Sequence, residues 1–434
     1  MAAEQRGTDR PIVCVAGGGP AGIVLGLLLA RAGIRTTVLE KHEDFFRDFR
    51  GDTVHPSTMN LIDQLGLRTA FDAIPPKPLP VLDAVINGVR LHAIDFRMLP
   101  PPNRFVTLMP QGDLLDMLAA EGARHPGFDL RMGTEVTGVL TRAGRVSGVR
   151  ARTAESEHLE IEADLVVGAD GRGSALRGAL GLRPKTYGVP IDVVWFRLPE
   201  PDAPMPDTLM WASAEGLIVT IPRPGYYQCG MLIPKGSLED VRRGGIAAFR
   251  ERVGATVPRL RDATAALTSL DEVALLSVQI DRLARWWRSG ALCIGDAAHA
   301  MSPAFGVGIN YAVQDAAAAA NALVPALAGA ESHAALDTAC AAVQRRRALP
   351  TAAMQLLQRG LHRTIATGRG VQLLDNPPTR VQRAVIRALL PGLRPVAARV
   401  VGYGFRPERL PATAGPFERG AGGEAAGGAD HAAG

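Results

Sequence analysis

Glycines at a fixed spacing near the N-terminus are the first residues of this chain whose types suggest chemistry. Gly17, Gly19 and Gly22 lie in the hexapeptide GGGPAG, together with Pro20 and Ala21. A short apolar run precedes the hexapeptide, and a segment of helical length follows it. The first glycine permits a tight turn, the second lets backbone amides approach a pyrophosphate, and the third lets the helix pack closely on a sheet. The spacing predicts a dinucleotide at the N-terminus of this helix.

An acidic residue follows at the distance that such a site needs. Gly33 ends the predicted helix, the run RTTVLE indicates a second strand, and Glu40 closes that strand just before Lys41. A carboxylate at this point accepts a hydrogen bond from a ribose hydroxyl. Glycine turns of this spacing also occur in unrelated α/β proteins, but the strand, the helix and the acid together favour the dinucleotide site.

Two later stretches carry acids at the ends of buried strands. Asp170 follows the run DLVVGA, and Ser174 is the predicted N-cap of the next helix, which alone indicates only a strand, a turn and a helix. Asp296 follows the run ALCIG, where a carboxylate can accept from sugar hydroxyls. Gly306 and Gly308 precede a long alanine-rich helix, whose N-terminal amides stabilise a flat heterocycle that becomes anionic on reduction. Because these motifs are far apart in sequence, they suggest one extended cofactor held at both ends.

Composition and charge exclude several classes of protein. The 434 residues, 47% of them hydrophobic, suffice for two or three domains. A net charge of +5, spread along the chain, does not indicate nucleic-acid binding. The four cysteines are scattered, and without a CxxC or Cys/His cluster we expect neither a disulfide framework nor a metal site.

The N-terminus and the lengths of the apolar runs indicate where the protein is located. The N-terminus has no secretory signal and no apolar run has membrane-spanning length, so we expect a cytoplasmic protein without integral membrane association. The basic run QRRRALP at 344–350 is interpreted as a solvated helical face.

Taken in order, the motifs resemble those of the class A flavoprotein monooxygenases, the para-hydroxybenzoate hydroxylase-like FAD-dependent aromatic hydroxylases. The similarity rests on GGGPAG with Glu40, on FRGDTVHPSTM, on GADGRGS and on GDAAHAMSPAFGVGIN, and covers most of residues 10–345. It implies an α/β fold, with a Rossmann-like FAD-binding domain, a second, partly antiparallel sheet substrate domain and C-terminal helices. It also implies that NADPH or NADH reduces the flavin. O2 then forms a flavin C4a-hydroperoxide, which hydroxylates an aromatic or polyketide-like small molecule.

The resemblance and the predicted elements divide the chain into four parts, and the protein is expected to be a monomer or a homodimer. The parts are an FAD-binding domain (10–78, 104–182 and 276–345), a substrate domain (79–103 and 183–275), a C-terminal helical region (346–410) and a disordered tail (411–434).

Cofactor contacts follow from the resemblance at matching positions. The pyrophosphate is expected at Gly17, Gly19, Pro20, Ala21 and Gly22, and the adenosine ribose at Glu40 with Lys41 beside it. The other expected contacts, in chain order, are Arg50 to phosphate, Gln111 to the flavin side chain, the backbone at Val136 to adenine, Asp170 to both cofactor regions, Asp296 to the ribityl chain, Pro303 and Gly306 in the loop beside the flavin, and the amides of Gly308, Ile309 and Asn310 to the pyrimidine edge of the ring.

One histidine is a candidate catalytic residue. His55 follows the FRGDTV stretch that passes beside the ring in relatives, and an imidazole titrating near neutral pH there would assist substrate deprotonation. Its position directly before Pro56 and a helix start favours a structural role instead. Ser57 or Thr58 is the expected cap of that helix. His299 is interpreted as a hydrogen-bonding histidine of its own loop.

Four aromatic residues leave the substrate pocket undecided. Trp195, Trp211, Tyr226 and Tyr227 fit either a pocket lining or core packing, and the sequence does not choose between these readings.

Three other functions use a similar cofactor architecture: an isoprenoid-type reductase, a halogenase-like enzyme and a non-catalytic dinucleotide-binding protein. The W-x-W-x-I-P element of tryptophan halogenases is not found in the sequence. A protein that only binds a dinucleotide has no need for amides aimed at a redox ring, which favours an enzyme.

Overall fold

The first large sheet of the protein is parallel except at one edge. The computed structural model describes residues 13–46, 53–75, 77–202, 205, 208–329, 332–366 and 380–411, so Arg50 and the predicted tail from residue 412 onward lie outside the described residues. The sheet consists of β1 (Val13–Ala16), β2 (Thr36–Leu39), β8 (Phe128–Arg131), β12 (Leu165–Gly168), β20 (Trp287–Arg288) and β21 (Ala291–Cys293). Its order is β20-β21-β12-β1-β2-β8, and only β20 runs antiparallel to its neighbour. The apolar central strands are buried on both faces, as a covered parallel sheet requires.

Helices cover one face of this sheet and a small antiparallel sheet covers the other. The helices are α1 (Pro20–Arg31), α4 (Gln111–Gly122) and α7 (Gly308–Ala328), which share one apolar core with the sheet. The opposite cover consists of β9 (Thr134–Arg142), β10 (Arg145–Thr153) and β11 (His158–Glu162). The β9–β10 hairpin turns at Ala143 and Gly144, both with positive φ, as tight hairpin turns favour.

The second large sheet has seven strands and is mostly antiparallel. Its strands are β5 (Val81–Ile86), β6 (Val89–Asp95), β14 (Ile191–Pro199), β15 (Thr208–Ser213), β16 (Gly216–Arg223), β17 (Tyr226–Pro234) and β18 (Ala274–Leu276). They lie in the order β18-β14-β17-β16-β15-β5-β6, and β5 pairs parallel with β15. The sheet therefore joins strands from two separate segments of the chain.

The two faces of this sheet have different neighbours. The outer face carries Phe196, Trp211 and Tyr227 and packs on α6 (Leu238–Thr256). The inner face carries Val193, Trp195 and Ile221, which share one apolar cluster with side chains from the loop before α7. Side chains alternate between the two faces because successive strand residues point in opposite directions.

Shorter elements connect the two sheets. The small sheets are β3 (Thr53–Val54) with β7 (Val106–Leu108) and β4 (Lys77–Leu79), and β13 (Pro184–Tyr187) with β19 (Ile280–Leu283). The remaining helices are α2 (Pro56–Gln64), α3 (Arg68–Ala73), α5 (Ala175–Ala179), α8 (His333–Ala366) and α9 (Arg380–Tyr403). Among the described helices, none combines the length and the apolar character needed to span a membrane.

The basic run QRRRALP on α8 was expected to be exposed to solvent, and one of its arginines is buried instead. Arg345 is exposed, but Arg347 is fully buried. The Arg347 guanidinium donates to Asp315 on α7 at 3.0 Å and to Glu408 at 3.2 Å. The solvated interpretation is therefore wrong for Arg347, because two buried carboxylates far away in sequence compensate its charge.

This network predicts a large difference between neighbouring arginines. Arg347→Met leaves Asp315 and Glu408 buried without their cation, so we expect a loss of roughly 3–5 kcal/mol in the free energy of unfolding. The matched control, Arg345→Met, changes an exposed side chain of the same helix and should stay within about 0.5 kcal/mol of wild type. Urea denaturation of both variants measures the difference, and equal stabilities would contradict the role of the buried network.

Candidate active site

The three sequence motifs meet at one edge of the parallel sheet. β1, β12 and β21 are neighbours, and their carboxyl ends lead directly into GGGPAG, GADGRGS and GDAAHA. The loops touch: a Cβ placed on Gly17 would lie 2.5 Å from the carbonyl oxygen of Ala169, and one on Gly295 would lie 3.1 Å from Cβ of Ala21. Ligands of open α/β sheets bind outside the carboxyl ends of strands, so this edge is the candidate site.

The glycine-rich turn leaves space for a ligand at one position only. Gly17 has φ +99°, and a Cβ on Gly22 would lie 1.8 Å from the carbonyl oxygen of Gly17. Both glycines are therefore needed to close the turn. A Cβ on Gly19 would meet no protein atom within 4 Å, although Gly19 stands directly before α1, which starts at Pro20. The open space before a helix N-terminus suits a phosphate group.

Glu40 lies beside this turn, directly after β2. Its side chain is buried; Oε2 accepts from the amide of Gly18 at 2.8 Å, and Oε1 from the amide of His42 at 3.1 Å. The exposed Lys41 lies between Glu40 and His42 in the chain. The Glu40 carbonyl accepts from the amide of Thr134 at the start of β9. That contact brings the β9 strand containing Val136 to the same end of the site.

Asp170 stabilises its own turn. Its carboxylate accepts from the Ser174 hydroxyl at 2.5 Å and from the Leu176 amide at 3.1 Å, and Ser174 caps α5 as the sequence predicts. Burial raises the pKa of Asp170, which these hydrogen bonds partly oppose. The next side chain, Arg172, donates to Asp296 at 3.1 Å and so links the second motif to the third.

The loop before α7 has two consecutive residues in the left-handed region. Phe305 has φ +67° and Gly306 has φ +64°. A Cβ on Gly306 would lie 2.8 Å from the hydroxyl oxygen of Thr53, so glycine is required there both by conformation and by contact. The helix begins at Gly308, behind Pro303 and this turn. Its first amides and the positive end of its dipole therefore face the space in front of the loop.

Asn310 in the first turn of α7 is fully buried and holds α2. Its Oδ1 accepts from the hydroxyl of Ser57 and, at 3.1 Å, from that of Thr58, so neither hydroxyl caps α2. The expected cap is wrong, since His55 occupies the N-cap position without a side-chain hydrogen bond to the helix. The Asn310 Nδ2 has no hydrogen-bond partner among the described residues. A buried amide donor without a partner at a helix N-terminus fits a site completed by a ligand.

His55 is fully buried against the same loop. Its Nε2 donates to the carbonyl oxygen of Gly306 at 3.1 Å. Burial lowers the pKa of His55 to about 4, an effect that the nearby carbonyls of Gly306, Val401 and Phe305 only partly oppose. The expectation of an imidazole titrating near neutral pH is therefore corrected. The neutral ring orients the loop through a backbone hydrogen bond.

Polar side chains of α8 hold the other end of the loop, which sequence reasoning missed. Gln358 accepts from the amide of Ser302 and donates to the carbonyls of Ser302 and Ala304. His362 contacts the Ser302 hydroxyl at 2.6 Å, and Gln355 donates to the carbonyl of Ala300. Their spacing of three and four residues places them on one helix face. Polar residues at that spacing in a predicted helix were the signal available in the sequence.

His299 makes the hydrogen bonds of a buried loop residue, as interpreted from sequence. Its Nε2 lies 2.5 Å from Oδ2 of Asp315, which also accepts from the amide of Gly295. Burial alone would raise the pKa of Asp315, but His299 and Arg347 hold that pKa below its usual range. The carboxylate therefore stays charged and fixes the backbone next to Asp296.

Two further predicted residues lie in the first turns of their helices. Gln111 is the first residue of α4, and Ile309 is the second residue of α7. Of the four aromatic candidates, Trp195 lies on the inner face of the seven-stranded sheet, whereas Trp211 and Tyr227 belong to the outer core. Tyr226 is half-buried, with the Arg197 guanidinium 5.5 Å from its ring centre. The tertiary structure thus leaves Trp195 as the buried aromatic residue facing the loop.

The lowered pKa of His55 predicts a pH dependence of stability. The unfolded chain takes up this proton below about 6.5, while the native protein takes it up only near 4. Stability is therefore fully present above pH 6.5 and falls as the pH drops towards 4, by about 1.4 kcal/mol per pH unit at most. His55→Gln should flatten this fall, and the exposed His158→Gln should not. Urea denaturation between pH 4 and 7 decides; parallel curves for wild type and His55→Gln would contradict the assignment.

Comparison with known proteins agrees with this geometry. Residues 11–356 match the family model described as FAD binding domain. A 6-methylpretetramide 4-monooxygenase of Streptomyces rimosus is 32% identical over 407 residues, covering 92% of this chain and 93% of the relative.

Two solved structures share the fold. The anhydrotetracycline hydroxylase OxyS of Streptomyces rimosus matches with a TM-score of 0.70 at 23% identity, over 91% of this chain and 76% of that one. The p-nitrophenol 4-monooxygenase PnpA of Pseudomonas putida DLL-E4 matches with a TM-score of 0.69 at 20% identity, over 90% and 96%. The family match and the 32% identical relative establish that the chain belongs to the FAD binding domain family, among the class A FAD-dependent aromatic monooxygenases.

Proposed function

We propose that the protein uses NADPH or NADH and O2 to hydroxylate a polycyclic aromatic or polyketide-like small molecule, with FAD bound along the edge where the three motifs meet. The observation that carries this proposal is the convergence of two helix N-termini on that edge. α1 and α7 pack against each other in one core, and each begins at a glycine-containing turn whose backbone amides are free of helix bonding.

The residues present fit an extended dinucleotide. The open space at Gly19 would accept the pyrophosphate, and the Glu40 carboxylate beside the same turn would accept from the adenosine ribose. Asp296, paired with Arg172 and partly exposed, suits the hydroxyls of the ribityl chain. The unpartnered Nδ2 of Asn310 and the first amides of α7 provide donors for the flavin ring. Gln111, Lys41, Val136, Asp170, Pro303 and Ile309 remain proposed contacts on the same argument.

FAD supplies the redox chemistry and the activation of oxygen, and the protein supplies position and electrostatics. The amides at the α7 N-terminus would favour negative charge on a ring bound in front of them. His55, Gln358 and His362 hold the loop between them, so the amides stay aimed without reorganisation. The inner face of the seven-stranded sheet shares an apolar cluster with the loop and would limit the access of water to a ring bound there.

The proposed substrate class rests on the relative that matches almost the whole chain. That protein is named for oxidation of 6-methylpretetramide, and the inner face offers an apolar surface with one buried aromatic residue for a flat substrate. We propose that the enzyme acts in the cytoplasm as a monomer or a homodimer.

Purified protein should be yellow and should oxidise NADPH or NADH. With a panel of phenolic and polyketide probes, the accepted substrate should speed NAD(P)H oxidation about tenfold or more, with O2 consumed in step. Product mass should rise by one oxygen atom. A colourless protein, or double-bond reduction without O2 uptake in an oxygen electrode, would refute the proposal.

Substitution of two glycines should separate folding from cofactor binding. Gly19→Ala places a methyl group in open space, so the apo protein should keep its stability while FAD affinity falls at least about tenfold, because the methyl meets the pyrophosphate. Gly22→Ala clashes with the Gly17 carbonyl and should lower the stability of the apo protein itself.

The matched control is Gly178→Ala in α5, where an added Cβ also meets no atom within 4 Å. Thermal unfolding of apo protein and FAD titration measure both effects. Normal FAD affinity in Gly19→Ala would place the pyrophosphate elsewhere.

A further inference from the structure

Two buried polar groups on the inner face of the seven-stranded sheet lack partners. Trp195 is 9% exposed and Gln228 is 5% exposed. Within the described part of the chain, neither the Trp195 Nε1 nor the Gln228 Nε2 has a hydrogen-bond partner. Buried donors are nearly always satisfied in folded proteins, and an unsatisfied one costs about 1–3 kcal/mol. Two unsatisfied donors on one face of the sheet require an explanation.

The two residues lie on adjacent strands and face the same space. In the register of β14 and β17, Trp195 lies opposite Gly230 and Arg197 lies opposite Gln228, so Trp195 and Gln228 are diagonal neighbours on one face. A Cβ on Gly230 would lie 3.0 Å from the Trp195 indole, so the ring lies over that glycine. On the other side, Gln228 is opposite Ile221 of β16, a member of the inner apolar cluster.

The apolar cluster on their face of the sheet includes side chains of the loop in the candidate active site. The apolar cluster of Trp195 and Ile221 also contains Met301 and Val307, with Phe305 packed against it. These three residues come from the loop that precedes α7. The inner face and the loop beside the proposed flavin therefore share one apolar environment, and the two donors are the polar groups embedded in its sheet side.

The outer face offers a direct contrast. Trp211 is equally buried, but its Nε1 donates to the Thr220 hydroxyl at 3.0 Å. Within the seven-stranded sheet, the indole N–H of the outer face is therefore paired and that of the inner face is not. Elsewhere in the described chain the buried Trp286 Nε1, in the core of the parallel sheet, also lacks a partner.

We propose that Trp195 and Gln228 form a recognition subsite that hydrogen-bonds an oxygen on the edge of a flat aromatic substrate, a quinone or ketone carbonyl or a phenolic oxygen. The inference rests on the proposed function, because it places that substrate between the sheet and the loop. An indole N–H only donates, so the group facing Trp195 must be an acceptor. The Gln228 amide donates alongside it, and a hydrocarbon edge would leave both donors unsatisfied. The subsite therefore selects oxygenated rings over hydrocarbons of the same shape.

The test compares two three-ring probes that differ in oxygen content. Equilibrium binding of 1,8-dihydroxyanthraquinone and of anthracene is measured on the FAD-loaded enzyme by the change in flavin absorbance, without turnover. Wild type should prefer the oxygenated probe by about tenfold or more. Gln228→Leu and Trp195→Phe should each weaken the binding of 1,8-dihydroxyanthraquinone about fivefold or more and leave anthracene within about twofold. The matched control Trp211→Phe makes the same change on the outer face and should keep the wild-type preference.

A stability measurement separates recognition from a structural role. Gln228→Leu removes an unpartnered buried amide, so the ligand-free protein should melt at the same temperature as wild type or higher, although it binds the oxygenated probe more weakly. A structural residue would show the opposite, a lower melting temperature. Loss of preference in both variants with retained stability supports the subsite. Unchanged preference in both variants, no binding of 1,8-dihydroxyanthraquinone by wild type, or equal loss in Trp211→Phe would overturn it.

Failure of the subsite and failure of the proposed function are distinguishable. FAD content and NAD(P)H-dependent O2 uptake test the function independently of the probes. If the protein binds no FAD, the function fails, and probe preference is then read from tryptophan fluorescence of the same variants. If FAD and O2 uptake are normal but the variants keep their preference, only the subsite fails.

Discussion

The Asp315 carboxylate on α7 is the buried charge around which the site is arranged. It accepts from the amide of Gly295 and from the side chains of His299 and Arg347, so it ties the third motif to α7 and α8. Arg347 also forms an ion pair with Glu408, and this contact fixes the chain that follows α9. A charge buried this deeply is tolerated only when each of its partners is in place. The helix N-terminus facing the cofactor edge therefore cannot shift without breaking the whole set.

Around this anchor the protein combines rigid loops with polar groups left free. Glycines allow the loops after β1, β12 and β21 to touch, and α8 side chains hold the loop before α7 at several backbone groups. In contrast, Asn310 Nδ2, Trp195 Nε1 and Gln228 Nε2 lack partners among the described residues. Such groups cost stability in the ligand-free protein and become favourable when a ligand satisfies them. Donors that are already oriented before the ligand binds reduce the rearrangement of the protein on binding.

Contacts between residues close together in the chain could be predicted from the sequence, and contacts between distant residues could not. The Ser174 cap involves neighbours in the chain, and its prediction from the sequence is confirmed. The cap expected at Ser57 or Thr58 is wrong because both hydroxyls bind Asn310, which lies far away in sequence. A local preference for capping loses to a buried acceptor that only the folded chain supplies.

His55 and Arg347 show that the charge state and solvation of a side chain are equally hard to predict from the sequence. The titration expected of His55 and the solvation expected of Arg347 are properties of isolated side chains, and burial reversed both. The family, the parallel sheet and the glycine turns follow from the residues alone, because strand–turn–helix signals and their spacing are local. Which aromatic residue lies on the inner face, which donors stay unpaired and which charges are buried follow only from the folded chain. Those properties depend on packing between segments that are distant in the chain, and no local pattern encodes them.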